Sequence, residues 1–187
     1  MQGIDLSQSF VDAARFLAER SGLEDKVAYQ RGNALSLPFS ADAFDVAWSQ
    51  HVAMNIADRD ALYGETRRVL RRGGHFAIFD VVAASEDPLH YPVPWASGPE
   101  TSFLLSADAM RTVLVSQGFR ITSWTDCTEA GVSWFLEREA ERARSSTPPV
   151  LALGTVMGPA FGQAAVNLRR NLGEGRAALI QAICEKV

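Results

Sequence analysis

Short apolar runs alternate with helix-spaced segments along this chain, and that alternation restricts the fold more than any other feature. Gln2–Leu6, Lys26–Gly32, Phe44–Gln50, His75–Val82 and "FRITSWTD" read as strands. "QSFVDAARFLAERSG", "RDALYGETRRVLRR" and "ADAMRTVLVSQ" read as helices; in the first, Phe10, Val11, Ala14, Leu17 and Ala18 recur at helical spacing. "FDVAWSQ" carries apolar residues on both faces, as a parallel strand covered by helices does. Ser7, Asp58 and Ser106 are the expected helix starts. Gly22, Gly73-Gly74 and Gly118 are the expected helix ends. In the last third "EAGVSWFLEREAERAR" and "PAFGQAAVNLRRNL" read as helices around a break, "SSTPPVLALG". "GEG" reads as a turn before a final strand, "RAALIQAICEKV". The glycine-rich stretch Gly154–Gly162 lacks the G-x-G-x-x-G pattern and a strand to feed it. This order argues for an α/β sheet with helices on both faces.

With 187 residues the chain is long enough for one domain with a core. A net charge of -4 gives no electrostatic reason to expect nucleic acid or an anionic membrane as partner. The paired arginines Arg67-Arg68, Arg71-Arg72 and Arg169-Arg170 lie near acids and read as solvated helix faces. Cys127 and Cys184 are far apart without metal-ligand spacing, which argues against a zinc site or disulfide scaffold and suits a reducing compartment, hence a cytoplasmic location. No signal-peptide pattern opens the chain, and no apolar run is long enough to span a bilayer. The expected partner is a small molecule, with homo-oligomerisation left open. The connection "AASEDPLHYPVPWASGPETSF" is long for a compact domain, and such loops tend to cover binding sites.

Four segments stand in a characteristic order: "GIDLS", "GNALSLPF", "FDVAWSQHVAMNI" and "LRRGGHFAIFD". In that order and at that spacing the chain resembles the class I S-adenosylmethionine-dependent methyltransferases. It is nearest the group holding ubiquinone/menaquinone-type C-methyltransferases and sarcosine/dimethylglycine N-methyltransferases. The match covers roughly the first half of the chain. It implies a Rossmann-like sheet, mostly parallel with an antiparallel final strand, S-adenosyl-L-methionine as cofactor, and methyl transfer to nitrogen, carbon or oxygen of a small molecule.

By that resemblance Asp5, with Leu6 beside it, holds the ribose hydroxyls, since two carboxylate oxygens accept two O–H donors. The bland alternative is an acid favoured by the start of the following helix. Asn33, Ala34 and Leu35 would border the adenine. Ser49 and Gln50 would lie by the methionine part. His51 is the candidate general base, because neutral imidazole accepts a proton near pH 7. The alternative for His51 is a hydrogen-bonding loop residue, as alignment and desolvation can suffice for this transfer. Asn55, Tyr91 and Trp95, with Phe103, would face the acceptor; aromatic walls can hold an alkylammonium, or simply pack under the loop. Segments 84–105 and 128–174 would cover the substrate. The glycines Gly73 and Gly74 read as structural; for Asp80 a structural role is expected over a place near the sheet's ligand edge.

The family's first strand and its glycine-rich turn are missing from the chain, so the single domain reads as incomplete at its N-terminal side. Strand Gln2–Leu6 is then expected either to pair with Phe44–Gln50 or to keep unpaired backbone groups, and cofactor affinity to suffer. Two other functions compete: a methyltransferase remnant surviving as a binding domain, and a nicotinamide-dependent oxidoreductase, since an acid after strand two binds ribose there too. Against the oxidoreductase, Tyr63 and Tyr91 are followed at the Tyr-x-x-x-Lys spacing by Arg67 and Trp95.

Overall fold

A computed structural model describes residues 1–144, 158 and 160–187. The order is β1 (Gln2–Asp5), α1 (Gln8–Arg20), β2 (Ala28–Arg31), β3 (Phe44–Gln50), α2 (Arg59–Val69), β4 (Leu70–Ala83), α3 (Ala107–Ser116), β5 (Phe119–Asp126), α4 (Thr128–Arg144), α5 (Phe161–Gly173) and β6 (Ala177–Lys186). Short 3-10 turns stand at Ala53–Asn55 and Pro99–Thr101. The expected break "SSTPPVLALG", most of Gly154–Gly162 and part of segment 128–174 lie outside the described residues.

Asp58 and Ser106 cap α2 and α3 as expected, their side chains accepting from Ala61 N–H and Ala109 N–H. Ser7 precedes α1, but its side chain makes no cap bond. The end of α2 differs from expectation. The helix stops at Val69, before Gly73-Gly74, and Leu70 already pairs with Phe44. Val46 then pairs with His75, so Arg71–Gly74 bulge out of the ladder. The glycines serve that bulge: Gly73 has φ +74°, and a Cβ on Gly74 would stand 2.8 Å from the Arg71 carbonyl oxygen.

The strands form two separate hydrogen-bonded sheets. β1 and β2 pair in parallel. β3, β4, β6 and β5 follow one another in the second sheet, with β3 parallel to β4 and the final strand antiparallel to both its neighbours. β1 and β3 share no ladder, so of the two outcomes open to β1 the unpaired edge is the one adopted. The flanking residues Gln2 and Asp5 are exposed, so water can satisfy that edge and the penalty of a buried unpaired group is avoided.

Alternation in the large sheet builds two cores. Phe76, Ile78, Val82, Ile180, Ala182 and Cys184 meet Leu62 and Tyr63 of α2 and Met110 and Leu114 of α3 on one face. On the other, Val81 and Leu179 meet Val132 and Phe135 of α4 and Leu168 and Leu172 of α5. The start of that second face stays open: Val46 is 60% and Trp48 70% exposed. α1 buries Val11 and Ala18 but leaves Phe10, Phe16 and Leu17 exposed. None of the described helices is long and apolar enough to cross a membrane.

Candidate functional site

The carboxyl end of β3 supplies most of the candidate residues. Along β3, Gln50 falls on the open face with Val46 and Trp48, while Ser49 points the other way. Ser49 Oγ is buried and finds no hydrogen-bond partner among the described residues. A polar ligand atom at this strand end would satisfy it. Gln50 lines a hollow of about 530 Å³ with Val46, Trp48, Ala77, Phe79, Cys127 and Gln181. Asp5, Leu6 and Asn33 are not among its lining residues.

His51 turns the chain out of β3. Its backbone sits at φ +52°, a left-handed conformation that non-glycine residues seldom adopt, and its N–H donates to Phe79 O at 2.8 Å. The imidazole lies 4.8 Å from the Phe79 ring. The residue keeps solvent contact, yet partial burial of the ring holds its pKa below the ordinary imidazole value. A neutral imidazole at pH 7 follows, as a proton acceptor requires. Asn55 is exposed at the end of the next turn, with Nδ2 donating to Val52 O at 3.3 Å.

That turn is fixed from below by Asp80, which is 1% exposed. Its carboxylate accepts Ala53 N–H at 3.0 Å and Val81 N–H at 3.2 Å. Burial pushes its pKa up to about 6, against the opposing pull of Ala53 N–H and the Arg59 guanidinium. This agrees with the structural role expected for Asp80. A carboxyl in the apolar strand "HFAIFDVV" was the available signal, since a buried charge needs partners.

On the smaller sheet, Asp5 is exposed at the end of β1, and one of its oxygens accepts Ser7 N–H at 2.7 Å. The helix-start contact is thus made by a side chain that stays exposed. Leu6 is 66% exposed. Asn33 is exposed, its side-chain oxygen accepting Leu35 N–H at 3.0 Å. Ala34 and Leu35 pack against the core under α2 and α3.

The long connection 84–105 is tied down at several points. Trp95 is half-buried, its indole N–H donating to Ser102 Oγ at 3.0 Å, and it packs against the second core. Tyr91 is half-buried. Phe103 N–H donates to Met54 O at 2.9 Å, binding the connection to the turn after β3. Asn171 of α5 accepts His90 N–H and donates to His90 O, at 2.9 and 3.1 Å. Asn167 donates to Pro92 O at 2.9 Å. Sequence reasoning missed this amide pair. Two asparagines one helical turn apart, beside the apolar Leu168 and Leu172, were its only trace.

A family model described as "Methyltransferase domain" matches residues 1–78, which hold Asp5, Asn33, Ser49, Gln50 and His51. Methyltransferase GfsG of Streptomyces halstedii is 37% identical over 82 residues, 44% of this chain and 30% of that protein. Erythromycin 3''-O-methyltransferase of Saccharopolyspora erythraea is 30% identical over 122 residues, 65% of this chain and 37% of that protein. The chain thus spans about a third of the length of these relatives. Among solved structures, Haemonchus contortus phosphoethanolamine N-methyltransferase 2 with S-adenosyl-L-methionine superposes at a TM-score of 0.81 and 16% identity, over 99% of this chain and 43% of that one. Motif order, strand order and these likenesses agree: residues 1–78 match a methyltransferase domain, and the chain has the fold of the class I S-adenosylmethionine-dependent methyltransferases.

Proposed function

We propose that this protein transfers a methyl group from S-adenosyl-L-methionine to a small molecule, through a site at the carboxyl ends of β1, β3 and β4. The observation that carries this is the match of residues 1–78 to a methyltransferase domain, because that stretch contains both strand tips with their polar residues. Open α/β sheets bind ligands at that edge. A hydroxyl-bearing acceptor is the first to test, because the Saccharopolyspora relative is by name an oxygen methyltransferase.

The residues fit the cofactor in part. The exposed carboxylate of Asp5 suits ribose hydroxyls, Asn33 the adenine edge, and the unpartnered Ser49 Oγ and the Gln50 amide the amino-acid end. Among the described residues, no strand and glycine-rich turn stand between β1 and β3 to cradle that end with backbone N–H groups. When bound, the cofactor would supply a methyl group on a positively charged sulfur, open to transfer to the acceptor. His51, held neutral by partial burial, takes the proton from an O–H or N–H acceptor. Trp95 and Tyr91, with segment 84–105 and the described parts of 128–174, cover the acceptor and exclude water.

Titration calorimetry tests the cofactor half. Residues 1–187 should bind S-adenosyl-L-methionine more weakly than micromolar, and Asp5→Ala should weaken binding further. Isotope-labelled methyl transfer to hydroxyl and amine acceptors tests the chemistry. Identical binding by the parent chain and Asp5→Ala, with no label transferred, would refute the proposal.

A further inference from the structure

Arg59 is an unusual residue to open a helix with, since it is 5% exposed. Its Nη2 donates to Phe103 O, while Nε and Nη1 are buried without a hydrogen-bond partner among the described residues. Phe103 N–H reaches back to Met54 O. Met54 belongs to the turn whose Ala53 N–H is held by Asp80. Arg59 and Asp80 attract one another through the apolar interior, each shifting the other's protonation. A run of hydrogen bonds therefore joins β4, the turn after β3, the long connection and α2, with the buried Asp80 at one end and the buried Arg59 at the other, the two making no direct ion pair. His51 and Asn55 hang on the turn, and Trp95 hangs on the connection through Ser102, next to Phe103.

From this juxtaposition we infer that Arg59 and Asp80 are positioning residues for methyl transfer: they set the turn Val52–Asn55 against the acceptor-side connection without touching either ligand. This rests on the methyl-transfer reading above. Removing either side chain leaves the backbone group it holds, Ala53 N–H or Phe103 O, without that partner. Loosening should therefore concentrate at the joint, not spread through the sheet.

Titratable groups face the joint from several elements: Arg59 and Tyr63 on α2, Cys184 on β6 behind Tyr63, and His51 on the turn. Burial pushes the Tyr63 phenol and the Cys184 thiol further above neutral, and arginine stays charged. Asp80 and His51 are then the groups that change across mildly acid pH.

Hydrogen exchange of the full 187-residue chain tests the inference, with rates corrected for intrinsic pH dependence. As pH falls from about 7.5 to about 5, Asp80 loses its charge and accepts less strongly. Exchange at Ala53, Met54 and Phe103 should rise together, at least tenfold, while Ala182 and Cys184 in β6 hold or slow. His51→Gln should keep this response and Asp80→Asn should abolish it. Arg59→Gln should free Phe103 at every pH; Arg59→Lys, which keeps the charge, should retain the pH response of Ala53. S-adenosylhomocysteine at millimolar concentration should slow exchange at Ser49–Asn55 in the parent chain, and far less in Arg59→Gln. A uniform response across joint and β6, or Phe103 unmoved by Arg59→Gln, overturns the joint itself. A pH-sensitive joint with no protection by S-adenosylhomocysteine instead overturns the methyl-transfer reading and the positioning role with it. The parent chain's own pH series decides even if the variants fail to fold.

Discussion

Asp80 couples folding to pH in a direction opposite to most carboxylates. Its folded pKa, about 6, lies above the ordinary value of 3.8. Between those values the folded chain binds the extra proton, so this group's contribution to stability falls as pH rises through the window and levels off above about 6. Thermal melts at intervals from pH 4 to 7 should show Asp80→Asn removing that decline, a difference on the order of 3 kcal/mol between the ends. An unchanged slope would mean that the carboxyl is better solvated than its burial indicates. Gly74 makes a second residue-scale prediction. A methyl group there would meet the carbonyl oxygens of Arg71 at 2.8 Å and Asp45 at 3.0 Å, both backbone atoms that cannot swing aside. Gly74→Ala should lower stability by about 1–3 kcal/mol in urea unfolding. Residues such as Asp5 and Gln50 were legible because their place at a strand end follows from local pattern. Arg59 was not, because nothing in "DRDALYG" marks the arginine of an exposed-looking helix start as buried; its hydrogen-bond partner Phe103 is 44 positions away by sequence number.

The elements themselves were largely readable. β3 spans the residues that its apolar pattern assigned, and α3 runs between its serine cap and Gly118, whose φ is +79°. The end of α2 was misplaced because glycines commonly stop helices. Here tertiary pairing of Leu70 with Phe44 claims the chain first, and the glycines serve the bulge instead. How the long connection is held was invisible for a different reason: its anchors are side chains of a distant helix. Asn171 substitutes for a strand neighbour, meeting both backbone groups of His90, and Glu174 adds a contact to the His90 ring at 2.8 Å. Asn171→Ala leaves an N–H and a carbonyl oxygen without partners in a half-buried place. It should destabilise the chain by about 1–3 kcal/mol, as denaturant melts would report. Proteolysis should speed first within residues 88–92, since that segment loses its clasp before the sheet does. Cleavage elsewhere at equal rate would show the clasp to be incidental.

At the scale of the molecule, the decisive feature is the division between β1–β2 and the sheet that starts at β3. Among the described residues both bordering edges lack a strand partner, and the apolar side chains beside them, Leu6, Val46 and Trp48, are all mostly exposed. Exposed edges of this kind invite pairing with other chains, and charged residues are the usual deterrent. The edge at β3 has little deterrent beyond Asp45, paired with Arg71 across the bulge. Since Trp48 is 70% exposed, Trp48→Lys removes almost no burial in residues 1–187. The substitution should therefore leave the melting temperature nearly unchanged, while reducing concentration-dependent light scattering. A large drop in melting temperature would mean that Trp48 is covered in solution, by a strand and helix lying over β3 or by a second chain. In that case the hollow at Gln50 is roofed, and micromolar cofactor binding becomes compatible with the same set of residues. Stability of one exposed-face variant thus reports on whether the cofactor site is open or closed, independently of any assay for methyl transfer.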